Sequence, residues 1–203
     1  MEKPSKPMSE SERLEWNRRY TEGEYRPRDI PSSFLEEWIE RLPAGRVLDV
    51  ACGAGRNALL LAEEGFLVEA IDISQSAIEM ARTQADHRGL EVTWQVDDLD
   101  DVQLPQARYD VITMIRYVNR RLWPRLIGAL APNGFLLIEH HLQTTADVDG
   151  PRTAEFRLAP QELLEAFRSL RILHYEEELE PAPPDRKGYA LARMVACQGE
   201  PGW

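Results

Sequence analysis

The sequence predicts a single α/β domain: a three-layer, doubly wound fold on a mostly parallel seven-stranded sheet, closed by an antiparallel C-terminal hairpin. Three observations carry this reading. From Arg46 onward, short apolar runs alternate with amphipathic, helix-forming segments. The first run, Arg46 to Val50, breaks into a small-residue turn, Ala51 to Gly55, and the chain then becomes apolar and helix-forming from Asn57 to Ala62. The last two strand-like segments, 171–179 and 189–197, are joined by a proline-rich connection without a helix, which suits an antiparallel pair.

The elements follow in order. Residues 1–8 are polar with two prolines and are expected to stay unfolded. Ser9 and Glu12 have the spacing of a capping box for a first helix carrying Leu14, Trp16 and Tyr20 and ending near Gly23. A second helix runs from Pro31 to Leu42, with Phe34, Leu35, Trp38, Ile39 and Leu42 on one buried stripe. After the first strand and its turn, a helix ends at Gly65, and Phe66–Asp72 is a second strand ending in an acid. Ser74 or Ser76 caps the next helix, Ser76 having capping-box spacing to Glu79, and that helix stops near Gly89. Glu91–Val96 alternates as a half-exposed strand, Tyr109–Ile115 is the fourth, and Phe135–His141 the fifth. The linker 142–158 lacks a regular pattern, and a helix with Pro160 in its first turn precedes the final pair. The order is thus two helices, five strand-to-helix units and a two-strand tail. Residues 1–30 form an N-terminal tail and possible lid helix, and 31–203 a single domain.

Composition narrows the function. The 203 residues carry 35 acids against 24 bases, a net charge of −11. That disfavours a general nucleic-acid binder, which needs a basic face to displace counterions. No apolar run approaches the length of a membrane span, and the N-terminus lacks a signal peptide's apolar core. The only cysteines, Cys52 and Cys197, fall in predicted buried elements without metal-ligand spacing. A reduced, cytoplasmic protein without a metal site is expected.

The turn at 51–55 is where a nucleotide-like ligand is expected. Its two glycines, Gly53 and Gly55, allow backbone to approach closely, and the following helix directs free N–H groups and its positive end there. Gly53 to Ala58 also fits the dinucleotide pattern G-x-G-x-x-G/A, which leaves a nicotinamide-dependent oxidoreductase open. Asp72, ending the second strand, can accept both ribose hydroxyls of a nucleoside under either reading. Asp49, inside the first strand, would repel a pyrophosphate but suits a cationic amino group.

That acid followed by Ala51-Cys52-Gly53-Ala54-Gly55 resembles the cofactor loop of class I S-adenosylmethionine-dependent methyltransferases, a Rossmann-like fold, although the family more often has glycine where Ala51 stands. The resemblance runs from Trp16 to Gln198. More narrowly, the stretch 51–58, the arginine-rich loop after the fourth strand and Pro160–Leu164 look similar to the tellurite-resistance and thiopurine methyltransferase-like group. It implies S-adenosyl-L-methionine bound by Asp49, Ala51, Cys52, Gly53, Gly55, Asp72, Ile73, Asp98, Leu99 and Ile115, with Asp98 meeting the adenine amino group and Leu99 covering the ring. Members of the group act on small, soft or anionic acceptors. Where they place a histidine after the fourth strand, this chain has Arg116, Tyr117 and Asn119. The resemblance also allows the aromatic and basic segment 16–28 to fold over the cofactor as a lid; a plain packing helix is the other reading.

Four arginines, Arg116, Arg120, Arg121 and Arg125, follow the fourth strand and reverse the local charge of an acidic chain. Arginine binds multi-oxygen anions with paired hydrogen bonds, so an anionic small-molecule acceptor is expected, with Arg116 the foremost contact. Glu139, His140 and His141 are the one titratable cluster suited to a general base. Strand alternation puts Glu139 and His141 on one side and His140 on the other, so Arg116, Glu139 and His141 are the candidate catalytic residues. A tRNA or protein methyltransferase stays open if the arginine loop and residues 18–28 form one basic face. A non-catalytic S-adenosylmethionine-binding protein also stays open.

Overall fold

A computed structural model describes residues 10–181 and 187–202. The expectations placed on residues 1–8, on the Ser9 cap and on the turn around Pro183 lie outside these residues. The described elements are α1 (Glu10–Thr21), α2 (Ser33–Trp38), β1 (Arg46–Val50), α3 (Arg56–Glu63), β2 (Leu67–Asp72), α4 (Gln75–Arg88), β3 (Val92–Val96), β4 (Tyr109–Ile115), α5 (Trp123–Ala129), β5 (Leu130–His141), α6 (Glu162–Ala166), β6 (Arg171–Glu180) and β7 (Tyr189–Cys197).

Seven strands form one sheet in the order β3-β2-β1-β4-β5-β7-β6. The first five are parallel, and β7 lies antiparallel between β5 and β6. Alternation along each strand sends side chains to two cores. Leu48, Val50, Ile112, Met114, Leu136 and Ile138 pack with Leu122, Leu126, Leu163 and Phe167 from α5, α6 and their flanks. On the other face Val47, Val111, Phe135, Leu137 and Val195 pack with Phe34, Leu35 and Trp38 from α2, Ala58 and Leu61 from α3, and Ile78 from α4. This is the expected three-layer, doubly wound, mostly parallel arrangement with an antiparallel C-terminal pair.

Local differences have local causes. No helix lies between β3 and β4, so the third of the five expected strand-to-helix units lacks its helix and the acidic stretch 97–101 turns directly toward β4. The second helix gives way at Ile39 to a 3-10 turn through Arg41, leaving its apolar stripe in place. Ser74, not Ser76, caps α4, its hydroxyl accepting from Ala77 N at 3.2 Å, while Glu79 takes a bond from Gln75 instead. Pro160 stands outside α6, because Gln161 at φ +63° precedes that helix. The edge strand β3 buries its apolar side only partly, with Val96 still 37% exposed.

Candidate functional site

The carboxyl ends of β1, β2, β4 and β5 surround a cavity of about 500 Å³. It lies beside β1, where the strand order reverses and helices pass from one sheet face to the other, as ligand crevices do in open α/β sheets. Ala51, Cys52, Gly53, Asp72, Ile73, Leu99, Ile115, Arg116 and His141 line it. Nine of the sequence-predicted residues therefore meet at one surface.

The turn after β1 is bent by left-handed backbone at Ala51 (φ +55°), Gly53 (φ +57°) and Gly55 (φ +85°). At Ala51 the left-handed form costs about 1–2 kcal/mol, which glycine would avoid. The two glycines do different work. A Cβ at Gly53 would meet Tyr20 Oη at 2.8 Å, on the cavity wall. A Cβ at Gly55 would meet Trp94 Cη2 at 2.8 Å and Ala81 Cβ at 2.9 Å, and Gly55 does not line the cavity. Gly55 thus permits α3, α4 and β3 to close together.

The acids of this end are buried. Asp72 is held by backbone: Oδ2 accepts from Gly53 N at 2.8 Å and Oδ1 from Ser74 N at 2.9 Å. Burial raises its pKa against those bonds. Asp49 lies beneath the turn at 1% exposure; Oδ1 accepts from Thr113 Oγ1 at 2.7 Å, while Oδ2 is buried without a hydrogen-bond partner among the described residues. Burial pushes the Asp49 carboxyl up to about 7. Asp49 does not itself line the cavity; it lies under the turn, where the Ala58 backbone N–H also acts on it. Asp98 stands apart. It borders a separate shallow recess with Glu10, Arg13, Ile73 and Asp97, and its Oδ1 caps the turn by accepting from Asp100 N at 2.9 Å. Leu99 and Ile73 face the main cavity.

Helix α1 lies over this end. Asn17 Oδ1 accepts from Ser74 Oγ at 2.9 Å and from Ser76 N at 3.2 Å, pinning α1 to the start of α4. Tyr25 meets Trp16 and Tyr20 edge to face, Trp16 and Tyr20 are tilted to each other, and all three line the cavity. Within α1, Arg18 and Arg19 are taken up by Glu15, Glu22 and Glu24, while Arg26 and Arg28 beyond the helix line the cavity.

The opposite end is cationic. Arg116, at φ +63° directly after β4, is bound to Glu139 through both backbone (Arg116 N to Glu139 O, 2.7 Å) and side chain (Nε to Oε1, 2.9 Å). Glu139 is 2% exposed and does not line the cavity; its Oε2 accepts from Arg193 Nε at 2.7 Å. His141 Nε2 lies 3.3 Å from Arg116 Nη1. Glu139 and His141 are on one side of β5, as alternation requires, while His140 turns away to Phe156 O at 2.9 Å. Of the other loop arginines, none lines the cavity. Arg120 clamps Glu162 and the carbonyls of Glu155 and Arg157, and Arg125 bonds the carbonyls of Val102 and Asp100. They hold loops together.

Other cavity residues come from distant segments: Arg26 and Arg28, Arg56 and Asn57, Tyr117, Asp149 and Gly150 in the 142–158 linker, and Tyr189. Arg28 donates to Tyr189 Oη at 2.7 Å, and the Arg28 and Arg116 guanidiniums lie 5.0 and 4.9 Å from the Tyr189 ring centre. Arg56 donates to Ile30 O at 2.9 Å. Burial, then the nearby charges of Arg28 and Arg116, lower the Arg56 pKa. No periodicity marks Arg56 or Tyr189; the available signals were the basic segment 26–28 and the patternless linker. Among the described residues no group of three or more His, Cys, Asp or Glu is arranged to hold a metal, and no helix is long and apolar enough to cross a membrane.

Comparison with known proteins agrees with this geometry. Residues 47–134 match the family model for a methyltransferase domain. Ubiquinone biosynthesis O-methyltransferase of Rickettsia felis is 35% identical over 97 residues, 45% of this chain and 39% of that protein. The protein of the same name from Coxiella burnetii is 31% identical over 122 residues, 56% of this chain and 52% of that one. The probable S-adenosyl-L-methionine-dependent methyltransferase TehB of Haemophilus influenzae is 28% identical over 141 residues, 66% and 49% of the two chains. The chain thus spans about half the length, or less, of these relatives. The crystal structure of TehB from Haemophilus influenzae superposes with a TM-score of 0.72 at 23% identity, covering 90% of this chain and 67% of that one. Between the two readings the glycine turn left open, the domain match favours the methyl donor: residues 47–134 match a methyltransferase domain, and the chain resembles class I S-adenosylmethionine-dependent methyltransferases, the TehB group among them.

Proposed function

We propose that the chain transfers the methyl group of S-adenosyl-L-methionine to a small, soluble acceptor that is an anion or a soft nucleophile, such as an oxyanion, a carboxylate or a thiolate. The observation that carries the acceptor half is the meeting of Arg28, Arg56 and Arg116 on the cavity wall, with Arg56 also near enough to Asp49 to act on its charge. Only Arg116 of the three is paired with a carboxylate among the described residues. Arg56, partly buried and without a carboxylate partner among the described residues, and the exposed Arg28 beside it favour an anion that brings its own charge.

In this reading Asp49 takes the amino group of the donor's methionine moiety, Asp72 the ribose hydroxyls, and Asp98 with Leu99 and Ile73 the adenine. Asp72 keeps unused lone pairs beside its two backbone bonds, so hydroxyls can add without displacing Gly53 or Ser74. The donor supplies a methyl group already activated by sulfonium charge. The protein's work is therefore to position and desolvate. Arg116, fixed by Glu139, orients the acceptor toward the donor end, and residues 10–28 exclude water from above. A cytoplasmic location fits free, buried thiols at Cys52 and Cys197.

The test is incubation with S-adenosylmethionine and a panel of oxyanions, carboxylates and thiols, read by mass spectrometry for methylated product and S-adenosylhomocysteine. Product from an anionic acceptor, lost in Arg116→Gln, supports the assignment. Donor binding with turnover only of neutral or macromolecular acceptors overturns it.

A further inference from the structure

The arginines on the cavity wall differ in what already holds them. Arg116 is bonded to Glu139 at 2.9 Å and faces His141. Arg28 is exposed and donates to Tyr189 Oη at 2.7 Å. Arg56 is half-buried, and its bond is from Nη1 to Ile30 O at 2.9 Å. Its neighbour Asn57 accepts from Ser32 N at 3.0 Å, so the start of α3 and the connection before α2 hold each other. These contacts fix the guanidinium and leave its Nε–Nη2 edge without a hydrogen-bond partner among the described residues. Such an edge offers two parallel N–H groups, which a carboxylate accepts with both oxygens.

The charges around Arg56 come from several elements. Arg28, before α2, and Arg116, after β4, act on it as like charges, while Glu139 of β5 acts the other way. Glu139 is already taken up by Arg116 and Arg193. Arg56 is also a cavity arginine whose charge acts on Asp49, holding that carboxyl lower than burial alone would. Asp49 precedes the turn 51–55 and Arg56 follows it, so the turn has an acid on one side and an unpaired cation on the other.

The methionine moiety of the donor carries an ammonium and a carboxylate on one carbon, so their partners must stand close together. The proposed function gives the ammonium to Asp49 and leaves the carboxylate without a partner. We infer that Arg56 takes the donor's α-carboxylate with its free edge, and that it thereby makes the site selective for a donor that carries one. This rests on the methyl-donor reading proposed above. The anion that Arg56 meets is then the donor's own, and Arg28 and Arg116 stay available to the acceptor. A partly desolvated cation beside two like charges gains from such a counter-ion. A donor without the carboxylate leaves that cation unpaired, and the loss falls on affinity.

The probes are S-adenosylmethionine and decarboxylated S-adenosylmethionine, which share nucleoside, sulfonium and amino group and differ in the carboxylate. Each is titrated by calorimetry into wild type, Arg56→Gln, Arg56→Lys and Arg116→Gln. Wild type should bind S-adenosylmethionine about tenfold to a hundredfold more tightly than the decarboxylated donor, the scale of one hydrogen bond to a charged group. In Arg56→Gln this preference should vanish, through weaker binding of S-adenosylmethionine while the decarboxylated donor keeps its affinity. Arg56→Lys should keep part of the preference and Arg116→Gln nearly all of it. If Arg56 serves only to hold Ile30, Arg56→Gln weakens both ligands equally, and the inference is overturned. It is also overturned if wild type binds the two ligands equally, a comparison that needs no variant to fold, or if the preference is lost in Arg116→Gln and kept in Arg56→Gln. Binding of neither ligand to wild type overturns the methyl-donor reading itself, and this assignment with it.

Discussion

The two ends of the cavity are built from different materials. The end proposed for the donor is made by consecutive short turns at strand ends: Ala51 to Ala54 after β1, Asp72 and Ile73 after β2, Leu99 after β3. Its polar atoms are backbone N–H groups and buried carboxylates. The acceptor end is assembled from pieces far apart in the chain, Arg28, Arg56, Arg116, His141 and Tyr189, held by guanidinium contacts. A ligand shared by a whole family can be met by one local turn. A ligand particular to one chain is met by side chains that only the tertiary fold brings together.

The comparison can be broken most forcefully at Arg193. This side chain, 9% exposed, bonds Glu139 and also reaches Glu176, Glu178 and Glu180 on β6. Arg193→Ala leaves Glu139 buried with one cation fewer and should cost about 3–5 kcal/mol in urea unfolding. In the folded fraction, anion binding should weaken while S-adenosylhomocysteine affinity holds, and Arg193→Lys should recover part of both losses. Equal loss at both ends would show that the ends are not separable.

The glycines sharpen the same contrast. Gly55→Ala meets Trp94 and Ala81 at a left-handed backbone and should destabilise by about 3 kcal/mol, with donor affinity per folded molecule largely kept. Gly53→Ala shares the left-handed strain of about 1–2 kcal/mol but meets only the hydroxyl of Tyr20, so a larger part of its effect than at Gly55 should fall on donor binding, measured by calorimetry.

The ends also titrate with opposite sign. Asp49 rises from an ordinary 3.8 to about 7 in the fold, so the stability it contributes is present below pH 4 and lost as pH rises through 7. Burial lowers His140 to about 4 and His141 to about 3 from 6.5, so their contribution is present above pH 6.5 and lost as pH falls through 4. In wild type the two slopes oppose each other between pH 4 and 6.5. Asp49→Asn should remove the falling one, leaving unfolding free energies that climb by about 2 kcal/mol or more across that window. A flat profile in the variant would contradict the assignment.

The smallest effect is expected at Asn17. Asn17→Ala frees Ser74 Oγ and Ser76 N from α1, at a cost of about 1 kcal/mol. Hydrogen exchange should quicken in residues 10–21 and leave β1 and β4 as they are.

How much of this was legible follows the same division. The sheet, its antiparallel tail and the donor end came from local signals: hydrophobic period, an acid before a glycine turn, acids at strand ends. Asp98 is the exception at that end, since its place after β3 was visible but its bond to Asp100 N was not. At the other end Arg116 could be read because it directly follows β4. Arg120 and Arg125 looked the same in sequence, yet they bind carbonyls and Glu162, because a guanidinium satisfies loop backbone as well as it satisfies a ligand. Glu139 reads as a candidate base from the titratable cluster 139–141, and neither that cluster nor strand alternation reveals that Arg193, 54 residues away, occupies its second oxygen.

The separation of the two ends is tested most directly by titrating S-adenosylhomocysteine into wild type, Asp72→Ala and Arg116→Gln. Binding to wild type that falls about a hundredfold or more in Asp72→Ala, the scale of two lost charge-assisted hydrogen bonds, and only a few-fold in Arg116→Gln, is the predicted result. No binding to wild type, or equal losses in the two variants, would contradict it.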